Sequence, residues 1–278
     1  MKTKFYKMHG IGNDYIYFDC FEKELSDPSS ISVRLSDRHF SVGGDGIVMI
    51  CASSVADGKM RMFNADGSEG KMCGNAIRCV GKFLYEIKGI KKDVLTVETL
   101  SGIKTLWLNV VDGVVESVTV DMGKAILRPS EIPANFEGER AVNVPLLVDG
   151  TERRVTLVSM GNPHCVLFGE VDSLNLEAIG PKFEHHAAFP DRINTEFVRV
   201  ISRNEVQMRV WERGSGETWA CGTGACAVAT ACVLNGYCAE GEDVLVHLRG
   251  GDLTIRYTQD GVFMTGPATL AFTGEVEI

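Results

Sequence analysis

The sequence has no C-x-x-C pair, no run of 18 apolar residues and no local cluster of lysine and arginine. Each absence removes a class of function. Without C-x-x-C spacing, neither a zinc ribbon nor a thioredoxin-type redox motif is supported. Without a long apolar run there is no candidate transmembrane helix. Without a basic face, phosphate contacts have nothing to rest on. Lys91-Lys92 and Arg153-Arg154 are isolated pairs, and the formal net charge is -9. Nucleic acid and membrane are therefore not expected partners.

What is present describes an ordinary globular chain. Hydrophobic residues make up 45% of 278 positions, enough to bury one large core or two smaller ones. The opening MKTKFYKM is too polar to lead into a secretory signal. An odd number of cysteines, nine, with no such signal fits a reducing compartment, and a cytoplasmic location is expected.

The chain is written twice. Arg61–Cys79, RMFNADGSEGKMCGNAIRC, lies over Arg209–Ala227, RVWERGSGETWACGTGACA, without a gap at an offset of 221 − 73 = 148. Cys73-Gly74 meets Cys221-Gly222. Two upstream blocks align at an offset of 149: Gly12–Phe18 over Gly161–Leu167, and Asp45–Met49 over Asn194–Val198. Three blocks in one order indicate internal duplication. The expected halves are residues 1–121, with a C-terminal strand at about 267–278 as a candidate addition, and residues 122–266.

Within each half the pattern is mostly strand. Val94–Thr99, Ile103–Val111 and Val114–Val120 are β-branched and separated by Ser101-Gly102 and Asp112-Gly113. The second half gives Arg154–Val158, Cys165–Phe168, Glu196–Val200, Val206–Trp211, Val244–Leu248, Leu253–Tyr257 and Val262–Thr265. One helix is expected in each half, from Gly74 to Ile87 and from Gly222 to Asn235. The second is apolar on nearly all sides and so is expected to be buried on nearly all sides. The fold class is α/β of the α+β kind. Two pseudo-symmetric domains each curl a mainly antiparallel sheet around a central helix, with an active site expected in the cleft between them.

Cys73 and Cys221 each sit where that helix begins. A helix N-terminus offers unpaired N–H groups and a partial positive charge, which favour thiolate and can hold a carboxylate. The following glycine removes a Cβ that would obstruct a ligand. Two such ends could grip one carboxylate, with a sulfur on each face of its α-carbon. One thiolate would take the α-proton and the opposite thiol would return one, inverting the centre. The remaining cysteines read as small core residues.

The motifs Lys7-Met-His-Gly-Ile-Gly-Asn-Asp14, Asn64-Ala-Asp-Gly-Ser-Glu leading to Met72-Cys-Gly-Asn, Gly161-Asn-Pro-His164, and Glu212-Arg-Gly-Ser-Gly-Glu-Thr leading to Ala220-Cys-Gly-Thr-Gly resemble the diaminopimelate epimerase family over the whole chain. The resemblance implies a cofactor-independent isomerase, with no metal, that interconverts LL- and meso-2,6-diaminopimelate in bacterial lysine and peptidoglycan-precursor synthesis. It implies Cys73 and Cys221 as acid and base, and the backbone at Gly74-Asn75 and Gly222-Thr223 as the carboxylate cradle. Asn13, Asn64, Asn162, Asn194 and Arg213 would hold the distal amino-acid group. Glu212 would contact substrate and, with His164, tune the thiols. A homodimer is implied, although Phe272 stands where family members often carry a dimer-contact tyrosine. Gly46 stands where some carry a substrate-contacting glutamine, and Ala76 replaces a frequent glycine.

Read without the resemblance, these side chains have plainer alternatives. The asparagines and the Asn64–Gly67 segment suit turns, Glu212-Arg213 suits a solvated ion pair, and His164 suits a structural histidine. The competing functions are another amino-acid racemase, a thiol-redox or metal-binding protein, and a silent scaffold.

Overall fold

The computed structural model describes residues 2–278 and divides into two compact units. The first takes the chain up to Asp121 together with Thr265–Ile278, and the second is Met122–Met264.

In the first unit the elements are β1 (Lys2–Gly10), β2 (Asn13–Cys20), α1 (Pro28–Ser36), β3 (Gly46–Cys51), β4 (Gly58–Asn64), β5 (Glu69–Gly70), α2 (Gly74–Glu86), β6 (Val94–Thr99), β7 (Gly102–Val111) and β8 (Val114–Asp121). β1–β2, β3–β4, β4–β5, β6–β7 and β7–β8 pair antiparallel, while β2–β3 and β4–β6 pair parallel. The second unit repeats this pattern. Its elements are β9 (Val144–Val148), β10 (Thr151–Ser159), β11 (Pro163–Phe168), α3 (Leu176–Glu184), β12 (Asn194–Ser202), β13 (Glu205–Glu212), β14 (Gly216–Glu217), α4 (Gly222–Leu234), β15 (Asp243–Leu248) and β16 (Gly251–Tyr257), and the chain passes from the second unit to the first within β17 (Val262–Gly266). β11–β12 and β13–β15 are the parallel pairs; β10–β11, β12–β13, β13–β14 and β15–β16 are antiparallel. The last strand, β18 (Thr269–Glu277), returns to pair antiparallel with β1.

The ladders correct one block of the repeat. Ile47 lies opposite Phe63, and Thr195 lies opposite Trp211. With Phe63 and Trp211 equivalent at an offset of 148, Ile47 matches Thr195 and Gly46 matches Asn194. The alignment of Asp45 with Asn194 is one residue out of register. On a strand such a slip exchanges the two faces.

The two expected helices form within one residue of their expected ends, and both are buried through most of their length. Two further helices, α1 and α3, lie on the opposite faces of the sheets. Leu35 of α1 joins Ile16, Phe18, Ile47, Met49 and Phe63 in one core. Phe183 of α3 joins Leu157, Cys165, Leu167, Phe197 and Trp211 in the corresponding one. The central strands are thus covered on both faces, and β3 and the first half of β12 are buried at consecutive positions. Asp27 caps α1 with Pro28 at its first turn, and Asn175 caps α3.

Candidate active site

Cys73 is the N-cap of α2 and Cys221 the N-cap of α4, one position outside each helix proper. Both have extended backbone. The carbonyl of Cys73 receives the amide of Ile77, and that of Cys221 receives the amide of Ala225, so each cysteine opens the helical ladder. The earlier first-turn amides have no intrahelical carbonyl to meet.

In the first unit, the half-buried Cys73 thiol donates to Asn13 Oδ1 at 3.3 Å. Asn13 is fixed from behind: its Nδ2 donates to Asp45 Oδ2 at 2.6 Å, and the same oxygen accepts the Asp14 amide at 3.1 Å. Arg38 spans both acids, at 2.6 Å to Asp14 and 2.8 Å to Asp45, and Lys7 pairs with Asp14. The two carboxyls diverge as a result. Burial alone would raise Asp14, but hydrogen bonds from Arg38 and Lys7 hold it below its ordinary value. Asp45 is raised, by burial first and then by the charge of Asp14. Asn64 ends β4, where its Nδ2 donates to Ser68 Oγ at 3.0 Å and Ser32 holds its carbonyl at 2.7 Å. Asn75 is buried, with its Oδ1 accepting from Arg78 at 3.1 Å. Its side chain is part of the helix packing.

In the second unit, the Cys221 sulfur accepts the Gly224 amide at 3.3 Å and lies 3.6 Å from Thr223 Oγ1. Asn162 Nδ2 donates to that hydroxyl at 3.2 Å, and Asn162 Oδ1 is 3.1 Å from His164 Nε2. His164 Nδ1 is 2.6 Å from Glu196 Oε1, and both side chains are fully buried. Glu212 accepts from Thr218 Oγ1 at 2.5 Å, and burial raises its pKa. Asn194 braces the adjoining loop, donating to the Pro163 carbonyl at 2.8 Å and accepting the Arg213 amide at 2.9 Å. Arg213 is exposed and donates to the Asp191 carbonyl at 2.8 Å.

The thiols differ more than the repeat suggests. A helix start is expected to lower a thiol pKa, yet Cys221 is pushed well up. Burial is the first cause, followed by the charges of Glu212 and Glu196. These outweigh the Gly224 and Thr223 hydrogen bonds that pull it down.

Donor atoms of His164, Glu196 and Cys221 fall within 4.8 Å of one another. In this cluster the histidine nitrogen and the glutamate oxygen face each other at 2.6 Å. Two ligands about 2.0–2.1 Å from a tetrahedral ion stand roughly 3.3 Å apart, so this pair has hydrogen-bond spacing rather than that of a tetrahedral metal site.

The model of the family described as "Diaminopimelate epimerase" matches residues 5–127 and 156–271, most of the chain and both half-sites. The chain belongs to the diaminopimelate epimerase family. A diaminopimelate epimerase of Acetivibrio thermocellus is 55% identical over 278 residues, covering 99% of each chain. One from Methanococcus maripaludis is 53% identical, covering 99% of this chain and all of the relative. Solved structures share the fold at lower identity. A PhzF-family phenazine biosynthesis protein of Bacillus anthracis superposes with a TM-score of 0.72 at 16% identity, covering all of both chains. A hydroxyproline epimerase of Agrobacterium vitis gives 0.69 at 16%, covering 99% of this chain and 91% of its own.

Among the expected site residues of this diaminopimelate epimerase family member, Asn13 gathers at Cys73, and Asn162, His164 and Thr223 gather at Cys221. Glu212 adds its charge to the environment of Cys221. The Asn194 side-chain oxygen accepts the Arg213 backbone amide. The sequence reading missed Asp45, which fixes Asn13, and Glu196, which fixes His164. The repeat carries a signal for Glu196: in the corrected register it stands where the first half has Val48, a fully buried apolar position.

Proposed function

We propose that this protein interconverts LL- and meso-2,6-diaminopimelate by a two-base mechanism without a cofactor, with Cys73 and Cys221 serving opposite faces of one α-carbon. The observation that carries this reading is the matched placement of two cysteines at the N-caps of equivalent helices in a chain of this family. The substrate carboxylate is then held by the backbone at Gly74-Asn75 and Gly222-Thr223, where helix-end amides stabilise the charge that develops as the α-proton leaves. Asn13, Asn64, Asn162, Asn194, Glu212 and Arg213 hold the remaining polar groups, with Arg213 supplying a guanidinium fork for the distal carboxylate.

The protonation states follow the surroundings. Burial and two carboxylates favour the neutral thiol at Cys221. Cys73 is the more exposed sulfur and has an amide oxygen as its partner. The resting enzyme thus has a proton ready at Cys221, and the opposite reaction direction starts from the reversed pair.

The same reading places the enzyme in the cytoplasm, where nine free cysteines are compatible with a reducing medium. No described helix is long and apolar enough to cross a membrane. It also makes the enzyme a homodimer through β18, on which Leu270 and Phe272 remain exposed. Phe272 also makes an edge-to-face contact with Phe5 of the same chain.

The test is proton NMR of the reduced protein with LL-diaminopimelate in deuterium oxide. One α-proton signal should disappear as the meso isomer forms. Exchange of proline or glutamate in place of diaminopimelate would move the assignment to another amino-acid racemase, and no exchange of any amino acid would end the two-base reading.

A further inference from the structure

The two half-sites are not equally equipped. Around Cys221 an unbroken polar chain runs from Glu196 through His164, Asn162 and Thr223 to the sulfur, with steps of 2.6, 3.1, 3.2 and 3.6 Å. The repeat places Tyr15 at the position of His164 and Val48 at the position of Glu196, so the first half has no counterpart to this acid–imidazole pair. Glu196 lies on β12 with no exposed surface. Its second oxygen, Oε2, is buried and finds no hydrogen-bond partner among the described residues. Burying a carboxylate this way is unfavourable unless its other interactions compensate. Its first oxygen also fits closely beneath the first turn of α4: a Cβ on Gly224 would stand 2.7 Å from it and 3.1 Å from the Cys221 sulfur.

We infer that Glu196 is a positioning residue for the reaction, holding the His164 ring with Nδ1 protonated and so fixing Asn162 and Thr223 against Cys221. The inference rests on the epimerase reading above. The physical argument is that of a carboxylate behind an imidazole. An acceptor-only group at one ring nitrogen makes that nitrogen the donor and fixes the ring plane. The opposite nitrogen faces Asn162 Oδ1, a second acceptor, so it donates as well, and the Asn162 amide nitrogen then donates to the Thr223 hydroxyl beside the sulfur. Loss of the carboxylate leaves the ring in place but removes the acceptor that holds the Nδ1 proton and the ring plane, and the polar groups around Cys221 lose their common orientation. Cys73 meets Asn13, which is held by a different support, Asp45.

The experiment is a double-mutant cycle on the full-length enzyme, read as kcat and KM for diaminopimelate. Glu196→Gln keeps the shape and removes the charge. It should lower kcat about 10- to 100-fold and change KM by less than about threefold. Because Glu196 acts through His164, the double variant Glu196→Gln/His164→Asn should be no slower than His164→Asn alone. Losses that multiply, or a folded Glu196→Gln enzyme with kcat within about twofold of wild type, would overturn the proposal. A second measurement needs no stable variant at position 196. Nitrogen-15 spectra of histidine-labelled wild type, with His164 assigned by its absence in His164→Asn, should show a protonated Nδ1 shielded from exchange. An unprotonated Nδ1 overturns the proposal even if Glu196→Gln fails to fold. A wild type that does not epimerise diaminopimelate would instead sink the epimerase reading, so the two failures are told apart.

Discussion

Burial separates the two reactive sulfurs before any substrate arrives. Cys221 is 4% exposed and its thiol is raised by burial and by Glu212 and Glu196, whereas Cys73 is half-buried with Asn13 as its partner. Alkylation needs both access and thiolate. Iodoacetamide near neutral pH should therefore label Cys73 first, and peptide mass mapping should find Cys221 labelled only at higher pH. Faster labelling of Cys221 would contradict the assigned environments. In catalysis the difference disappears, because each turnover needs one base and one acid. Cys73→Ala and Cys221→Ala should each lower turnover at least about 1000-fold, measured as appearance of the opposite stereoisomer. A variant of either kind that turns over normally would remove that residue from the reaction. The residues visible in sequence were those with an unusual neighbour, such as a cysteine before glycine at a helix start. Asp45 and Glu196 were not visible, because their importance comes from the side chains they meet 32 residues away, Asn13 and His164.

The two central helices show why some elements could be read directly. α4 is apolar around its whole circumference and α2 has apolar residues at helical spacing, so one-dimensional periodicity carried the information. α1 and α3 are nine residues each, and α3 contains Pro181, so their apolar positions are too few to show a period. Their existence depends on the outer sheet faces they cover. α3 also bears on the site. Gly180 lies against Trp211, and an added Cβ would fall 2.2 Å from the indole Cδ2. Trp211 Nε1 donates to Glu184 at 2.7 Å, and Glu184 also receives the Gly214 amide at 2.9 Å. The glycine thus lets one helix hold the strand end that carries Glu212 and Arg213. Gly180→Ala must displace the ring, at a cost of about 1–3 kcal/mol. Differential scanning calorimetry should show a melting temperature several degrees lower. An unchanged melting temperature would mean that α3 shifts freely and does not brace that loop.

The chain path gives the two units different folding requirements. The second unit is one continuous segment, Met122–Met264. The first is built from both ends of the sequence. β18 pairs with β1 from Lys2↔Glu277 to His9↔Thr269, with one irregularity after Lys7. Val276 and Ile278 pack on the core that contains Phe5, and Arg34 of α1 donates to the Glu277 carbonyl at 2.8 Å. Phe5 lies over Gly274, where an added Cβ would come within 2.8 Å of its ring. β18 thus supplies a ladder for β1 and part of the cover for Phe5, and neither exists until the last residues are present. The sequence suggested a C-terminal strand at about 267–278 joining the first half, but not its partner, since most of β18 is exposed and pairing between residues 2 and 277 has no local period. A chain ending at Ala268 should keep the second unit and lose the first. Hydrogen exchange with mass spectrometry should then find amides of residues 122–264 protected near wild-type levels and those of residues 2–121 exchanging as in an unfolded chain. Equal protection of both segments would mean that β1 and its core hold without the returning strand. Loss of protection in both would mean that the second unit draws its stability from the first.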